Sequence, residues 1–346
     1  MNTYNAFTSN YLKAVKWEKP KWIPAHVSLL PATWKKYRED LEAVVRQYPR
    51  LFPWYTGQRD YDFIGAPSYK QGTYIDHWNC VWENIEEGLE GMVVGHPLAD
   101  WDALDSFIPP TVPPDDDSIW DNYRKNFQEQ KERGNLPSGG MEHGYVYMRL
   151  YYLRGFENFM LDVATKDPRL DQVRDMVLEY NLGMVKKQLE LGAEQMSFGD
   201  DLGMQNSLPI SPEDWRYYLK PAYKAIYGTC KEAGAIVRVH SDGHILPVIG
   251  DLIECGVDIL NPQIGANGLD NLVRACKDRV CVDLDLDRQF FPFATPQELD
   301  DHVKEAIDAF APDNGGLMLT AECAPDVPLR NIEAICIAFE KYTLLG

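Results

Sequence analysis

The sequence predicts an α/β fold: a (β/α)8 TIM barrel with an N-terminal extension and an inserted aromatic-rich segment, one domain over residues 1–346. Three observations predict it. From about residue 195 onward, short β-rich runs alternate with amphipathic helical stretches, so each parallel strand has the crossover helix it requires. Two of those runs, Ile236-Val-Arg-Val-His-Ser-Asp242 and Leu317-Met-Leu-Thr-Ala-Glu-Cys323, end in residues that carry chemistry. In a parallel barrel such ends converge on one mouth. Neither GxGxxG nor GxxxxGK[ST] follows a first strand, which removes the main support for dinucleotide and P-loop folds.

Taken in order, residues 22–30 read as the first strand and 32–47 as its helix. Residues 50–75, rich in Tyr, Trp, Phe and Gly, read as a long insertion whose aromatics either pack as ordinary core or cover the mouth. The aromatic, alternating run 74–82 and the run 144–150 supply two further strands. Residues 108–117, Pro-rich and acidic, form a rigid surface connector. Residues 194–203 are strand then loop. Ser211, Pro212 and the acids behind them open a helix that runs to about Ala233, where Gly234 stops it. Strand 236–241, helix 245–255, strand 257–263, helix 269–277, strand 280–287, a helix from Thr295, strand 317–323 and helix 331–344 complete eight units.

At 346 residues, 45% apolar and 25% charged, the chain can bury a large core. No run of about eighteen apolar residues is present, so no membrane span is expected. The first ten residues lack the basic start and apolar stretch of a secretory signal, which points to the cytoplasm. Seven cysteines without CxxC pairs read as buried free thiols of a reducing compartment, with strand-ending Cys323 the exception. A formal charge of -19 with no basic cluster excludes a nucleic-acid partner.

His240, Asp242 and Cys323 together offer nitrogen, oxygen and sulfur donors of the kind zinc accepts, with a fourth position left for substrate. Glu322 competes with Asp242 as the carboxylate, although adjacent strand residues such as Glu322 and Cys323 face opposite ways. An open zinc site acts as a Lewis acid. Asp200 and Asp201 sit at a strand end before a glycine turn; one of them is a candidate general acid or orienting group and the other a loop cap. Asp76 and His77 form an acid and base pair of which one can face inward, and Tyr145, Gln205 and Gln263 are candidates for substrate contact. Asp283, Asp285 and Asp287 share a face; Asp287 reaches the mouth and the other two pair with arginines inside the barrel.

Tyr74-Ile-Asp-His-Trp-Asn with His96-Pro-Leu-Ala-Asp, then Arg149-Leu-Tyr-Tyr-Leu-Arg-Gly-Phe-Glu157, Gly199-Asp-Asp-Leu-Gly203, Val239-His-Ser-Asp-Gly243, Gly256-Val-Asp-Ile-Leu-Asn-Pro262 and Asn331-Ile resemble the uroporphyrinogen decarboxylase-like superfamily, from about residue 10 to the end. That superfamily holds decarboxylases and zinc-dependent methyltransferases that exchange methyl groups with corrinoid proteins, both (β/α)8 barrels. The decarboxylases carry an RQAGR-type N-terminal motif, whereas this chain has no arginine before Arg38. The methyltransferase branch uses a His-x-Cys pair and a distant Cys on zinc; His240 and Cys323 match the outer positions and Asp242 replaces the middle cysteine. The resemblance therefore implies zinc, a corrinoid (cobalamin) as methyl acceptor or donor, a corrinoid protein as partner, and a small methyl donor. A carboxylate in place of the middle thiolate leaves the metal more Lewis acidic and suits a donor oxygen, such as that of a methoxylated aromatic, in an O-demethylation. The alternatives are a porphyrinogen-type decarboxylase and a non-catalytic tetrapyrrole- or corrinoid-binding protein.

Overall fold

The structure is a computed structural model and describes residues 4–344. Among them run the strands β1 (Ala25–Leu29), β2 (Gly72–Ile75), β3 (Val81–Asn84), β4 (Met92–Gly95), β5 (Ser138–Gly140), β6 (Gln195–Gly199), β7 (Ile236–Ser241), β8 (Ile259–Pro262), β9 (Cys281–Asp285) and β10 (Leu317–Cys323). Seven of them form one parallel sheet in the order β1-β10-β9-β8-β7-β6-β5, and β2, β3 and β4 form a separate three-stranded antiparallel sheet. Helices follow each strand from β6 to β10, as parallel crossovers require. The sheet curls, so Arg238 of β7 reaches across β8 to Asp283 of β9 at 2.7 Å, and the Thr320 hydroxyl of β10 donates to the other Asp283 oxygen, also at 2.7 Å. Asp283 thus pairs with an arginine inside the curl, as expected from its alternation.

The parallel sheet is TIM-like but has seven strands, not the expected eight, and β1 and β5 are its unpaired edges. Two strand assignments fail for identifiable reasons. The run 74–82 is no barrel strand: Asp76 Oδ1 accepts from the backbone N–H groups of Trp78 and Cys80, both at 2.9 Å, and folds the run into the β2–β3 hairpin. Residues 144–150 are not extended either, because Tyr147–Arg154 is helical and the strand lies upstream at β5. That helix is buried on nearly all sides, so its residues carry no amphipathic period. Its start is held by Asp200, whose carboxylate accepts from the N–H groups of Val146, Tyr147 and Met148 at 3.1, 2.7 and 2.9 Å.

The helix expected over 211–233 is two, Pro212–Tyr218 and Lys220–Glu232. Pro221 lacks the N–H that would continue it. All seven cysteines are free and buried, Cys323 included. No helix among the described residues is long and apolar enough to cross a membrane.

Candidate metal centre and active-site cavity

The carboxyl ends of β6, β7 and β10 and the loops after β5 and β9 open into a cavity of about 650 Å³, whose far wall is built by Pro67, Ser68, Tyr69, Tyr74 and Trp82. The loops after β6 and β7 hold each other. Asp201 Oδ1 accepts from Asp242 N at 3.0 Å, Ser241 Oγ from Leu202 N at 3.0 Å, and Met204 O from His244 N at 2.8 Å. The two loops touch glycine to glycine: a Cβ on Gly203 would lie 2.3 Å from His244 N, and one on Gly243 (φ +80) 2.2 Å from Gly203 O.

This clasp brings together one oxygen of Asp201, one ring nitrogen of His240 and one oxygen of Asp242, all within 4.8 Å of one another. His240 Nε2 is 3.1 Å from Asp242 Oδ1 and 3.9 Å from Asp201 Oδ1. The other ring nitrogen defines the tautomer. Asn261 Oδ1, which also accepts from Arg238, lies 2.8 Å from His240 Nδ1 and accepts a hydrogen bond from that nitrogen, which keeps the proton. The Nε2 lone pair of the neutral ring then points at two carboxylates, an arrangement that calls for a cation between them. Burial pulls against a proton there, but Asp242 and then Asp201 hold the imidazolium above its ordinary range. With the ring neutral and its proton on Nδ1, buried Asp242 Oδ1 has no hydrogen-bond donor, and a metal ion would satisfy it together with Nε2. The donor set therefore fits a divalent metal: one imidazole held through its second nitrogen, and two carboxylates.

Cys323, expected as a ligand, does not join them. It follows Glu322 on β10 and faces the opposite side of the strand, fully buried in the hydrophobic core with its thiol pushed well up by burial. Asp201 takes its place in the group. Glu322 faces the cavity but is bound by Arg288, whose guanidinium bridges it to Asp242 Oδ2. Burial pushes the Asp242 carboxyl up, yet His240 and Arg288 together hold it down at about 2.

The structure divides the remaining candidates. Asp201 faces the cavity, whereas Asp200 is buried, consumed by three N–H groups and the Tyr223 hydroxyl at 2.8 Å, and serves as a cap, not as a catalytic group. Tyr145 lies in the core, its hydroxyl 2.6 Å from that of Tyr227, and cannot meet substrate. Asp76 lines the cavity but is fully engaged by Arg149 at 2.6 Å, by Trp82 Nε1 at 3.0 Å and by its own turn. His77 lies 3.5 Å from Glu142 outside the cavity lining. Gln205, Gln263 and Asp287 share a small niche beside Arg288. Asp285 pairs with no arginine: its Oδ1 has no hydrogen-bond partner, and burial raises its carboxyl to about 7 against the pull of Arg288 and His240.

Sequence reasoning missed His143, Arg288, Glu90 and Glu142, all in the lining. His143 Nε2 meets Asp201 Oδ2 at 3.1 Å; burial opposes its charge, but the Asp201 bond raises it to about 9. The signal was present. Glu142-His143 follows the short Ser138-Gly-Gly140 strand as Asp242 follows β7, but that strand begins six residues before the expected one.

The fold and site together define an α/β protein with a curled, TIM-like parallel sheet and a candidate metal centre at the carboxyl ends of its strands. The family model described as uroporphyrinogen decarboxylase (URO-D) matches residues 147–342, more than half of the chain, and the chain belongs to that family. A methyltransferase from Methanosarcina mazei is similar in structure, with a TM-score of 0.66 and 18% sequence identity over 97% of this chain and 98% of that one. A 3-keto-D-glucoside 4-epimerase from E. coli superimposes more weakly, with a TM-score of 0.41 and 11% identity over 64% of this chain and 86% of that one. At these identities the likeness is one of fold. No curated protein sequence matches the chain.

Proposed function

We propose that the chain is a metal-dependent methyltransferase that takes a methyl group from a small oxygen-linked donor, with methoxylated aromatics as the class, and passes it to the cobalt of a corrinoid protein. The observation that carries this reading is the Asp201, His240 and Asp242 group, with its partnerless buried oxygen, opening on a cavity large enough for such a donor. One imidazole and two carboxylates, with no thiolate, make a hard donor set that suits zinc and other oxygen-preferring divalent ions. When bound, such an ion supplies Lewis acidity toward an oxygen that must part from its methyl group. The full-length likeness to a methyltransferase fold supports the same reading.

The chain's own residues supply the rest. Asn261 holds His240 in the tautomer that presents Nε2, and Arg288 fixes Asp242 and Glu322 at the rim. Cleavage of the methyl–oxygen bond leaves its electron pair on oxygen, and His143 Nε2 holds a proton beside Asp201 that can neutralise it. A phenol ionises near ~10, close to this imidazolium, so the transfer is nearly balanced. Decarboxylation of a polycarboxylate porphyrinogen is disfavoured because Arg149 and Arg288 in the cavity are each already bound to two carboxylates.

The test pairs metal content with transfer. Elemental mass spectrometry should find about one divalent metal per chain in the wild type and a loss of at least about tenfold in His240→Ala. Methyl transfer from an aryl methyl ether panel to cob(I)alamin, followed by absorbance, should fall with the metal. Undiminished transfer by His240→Ala, or after exhaustive chelation, would sink the reading.

A further inference from the structure

The charge of the cavity does not close, and the excess has an address. Six carboxylates line it, Asp76, Glu90, Glu142, Asp201, Asp242 and Glu322, against two arginines and two histidines. The cations are spoken for: Arg149 by Asp76 and Glu142, Arg288 by Asp242 and Glu322, His143 by Asp201 and His240 by the metal group. Those pairings take five of the six carboxylates and leave one. Of the six, Glu90 is the one that pairs with no arginine, lysine or histidine of the described residues; the Ser68 hydroxyl bonds to it and the His143 charge reaches it. It projects into open space yet is ringed by protein, so burial pushes its carboxyl up. Its charge is felt by the phenols of Tyr69 and Tyr74, which stand in the same wall and are pushed up to about 12 by burial and by carboxylates that include Glu90. Tyr74 stacks on Trp82 at 5.7 Å, while Arg149 sits over other rings, those of Trp78 and Tyr152.

Resting on the methyl-transfer reading, we propose that Glu90, with Tyr69, Tyr74 and Trp82, forms a cation subsite, so that the preferred donor carries an ammonium-type group. A carboxylate with no ion-pair partner beside electron-rich aromatic rings is the arrangement that favours an organic cation over a neutral or anionic group. Anionic donors meet unbalanced like charge and find no free arginine.

The test is binding without turnover, by calorimetry on zinc-supplemented protein. The probes share one ring and one methoxy group: 4-methoxyphenethylamine, 4-methoxyphenethyl alcohol and 4-methoxyphenylacetate. The amine should bind about tenfold or more tighter than the alcohol, the acetate should bind weakest, and Glu90→Gln should bring amine and alcohol to within about twofold. Glu90→Gln is isosteric and alters a group that the fold does not bond to a cation, and its thermal midpoint checks that it is folded. An alcohol that binds as well as the amine, an amine preference that survives Glu90→Gln, or no binding of any probe would each overturn the subsite. A protein that ranks the three as expected but moves no methyl group would instead overturn the transfer reading and leave the subsite standing.

Discussion

Asp285 shows how much a single buried carboxyl contributes to the pH response of this molecule. It is 2% exposed, its Oδ1 lacks a partner, and burial raises it to about 7 from the usual 3.8. The native state therefore keeps a proton that the unfolded chain loses near pH 4. The stability tied to that proton is full below about pH 4 and drains away as pH rises to about 7, by up to about 4 kcal/mol in metal-free protein. Asp285→Asn does not titrate. It should match the wild type at pH 4 and exceed it by a few kcal/mol at pH 8, as read from chemical denaturation at both values; equal stability at pH 8 would refute the assignment. Residue-scale legibility was uneven. The types were readable, since His240, Asp242 and Asp201 stand in strand-end positions and do meet. The facing was not: Cys323 and Glu322 differ by one position, and that step decides which of them looks into the cavity and which into the core.

At the scale of elements, the site depends on the clasp between the loops after β6 and β7. Gly203 and Gly243 leave no room for a methyl group, because each would press on backbone of the other loop. Gly203→Ala or Gly243→Ala should cost about 1–3 kcal/mol and displace Asp201 from Asp242. Metal affinity should then fall even though no ligand has changed, and titration with a metal-competing chromophore measures it; wild-type affinity in both variants would refute the coupling. The same scale separates what the sequence showed from what it hid. From β6 to β10 each strand is a short apolar run followed by an amphipathic helix, and those assignments hold to within a few residues. The first half failed where side chains rewrite the backbone. Asp76 turns a strand-like run into a hairpin, and Asp200, distant in sequence, starts a helix in a stretch whose aromatic residues suit strands equally well.

For the whole molecule, the proposed metal would link binding to stability, because Asp201 and Asp242 stand on two loops and His240 on β7, which only the folded chain brings together. Zinc at about 100 times its dissociation constant should stabilise the protein by about 2.7 kcal/mol. The thermal midpoint should rise with zinc in the wild type and stay put in His240→Ala, and a rise of equal size in the variant would place the ion elsewhere.

The order of the parallel sheet has a further consequence, for synthesis. β1 has β10 as its sole ladder neighbour, through partners such as His26 and Thr320 that lie 294 positions apart. An emerging chain at ~5–20 residues per second would hold its first strand without a mate for about 15 to 60 seconds, the interval in which unpaired edges recruit other chains. The ribosome thus delivers the keystone last, and whatever escorts this protein must guard its beginning until its end has arrived.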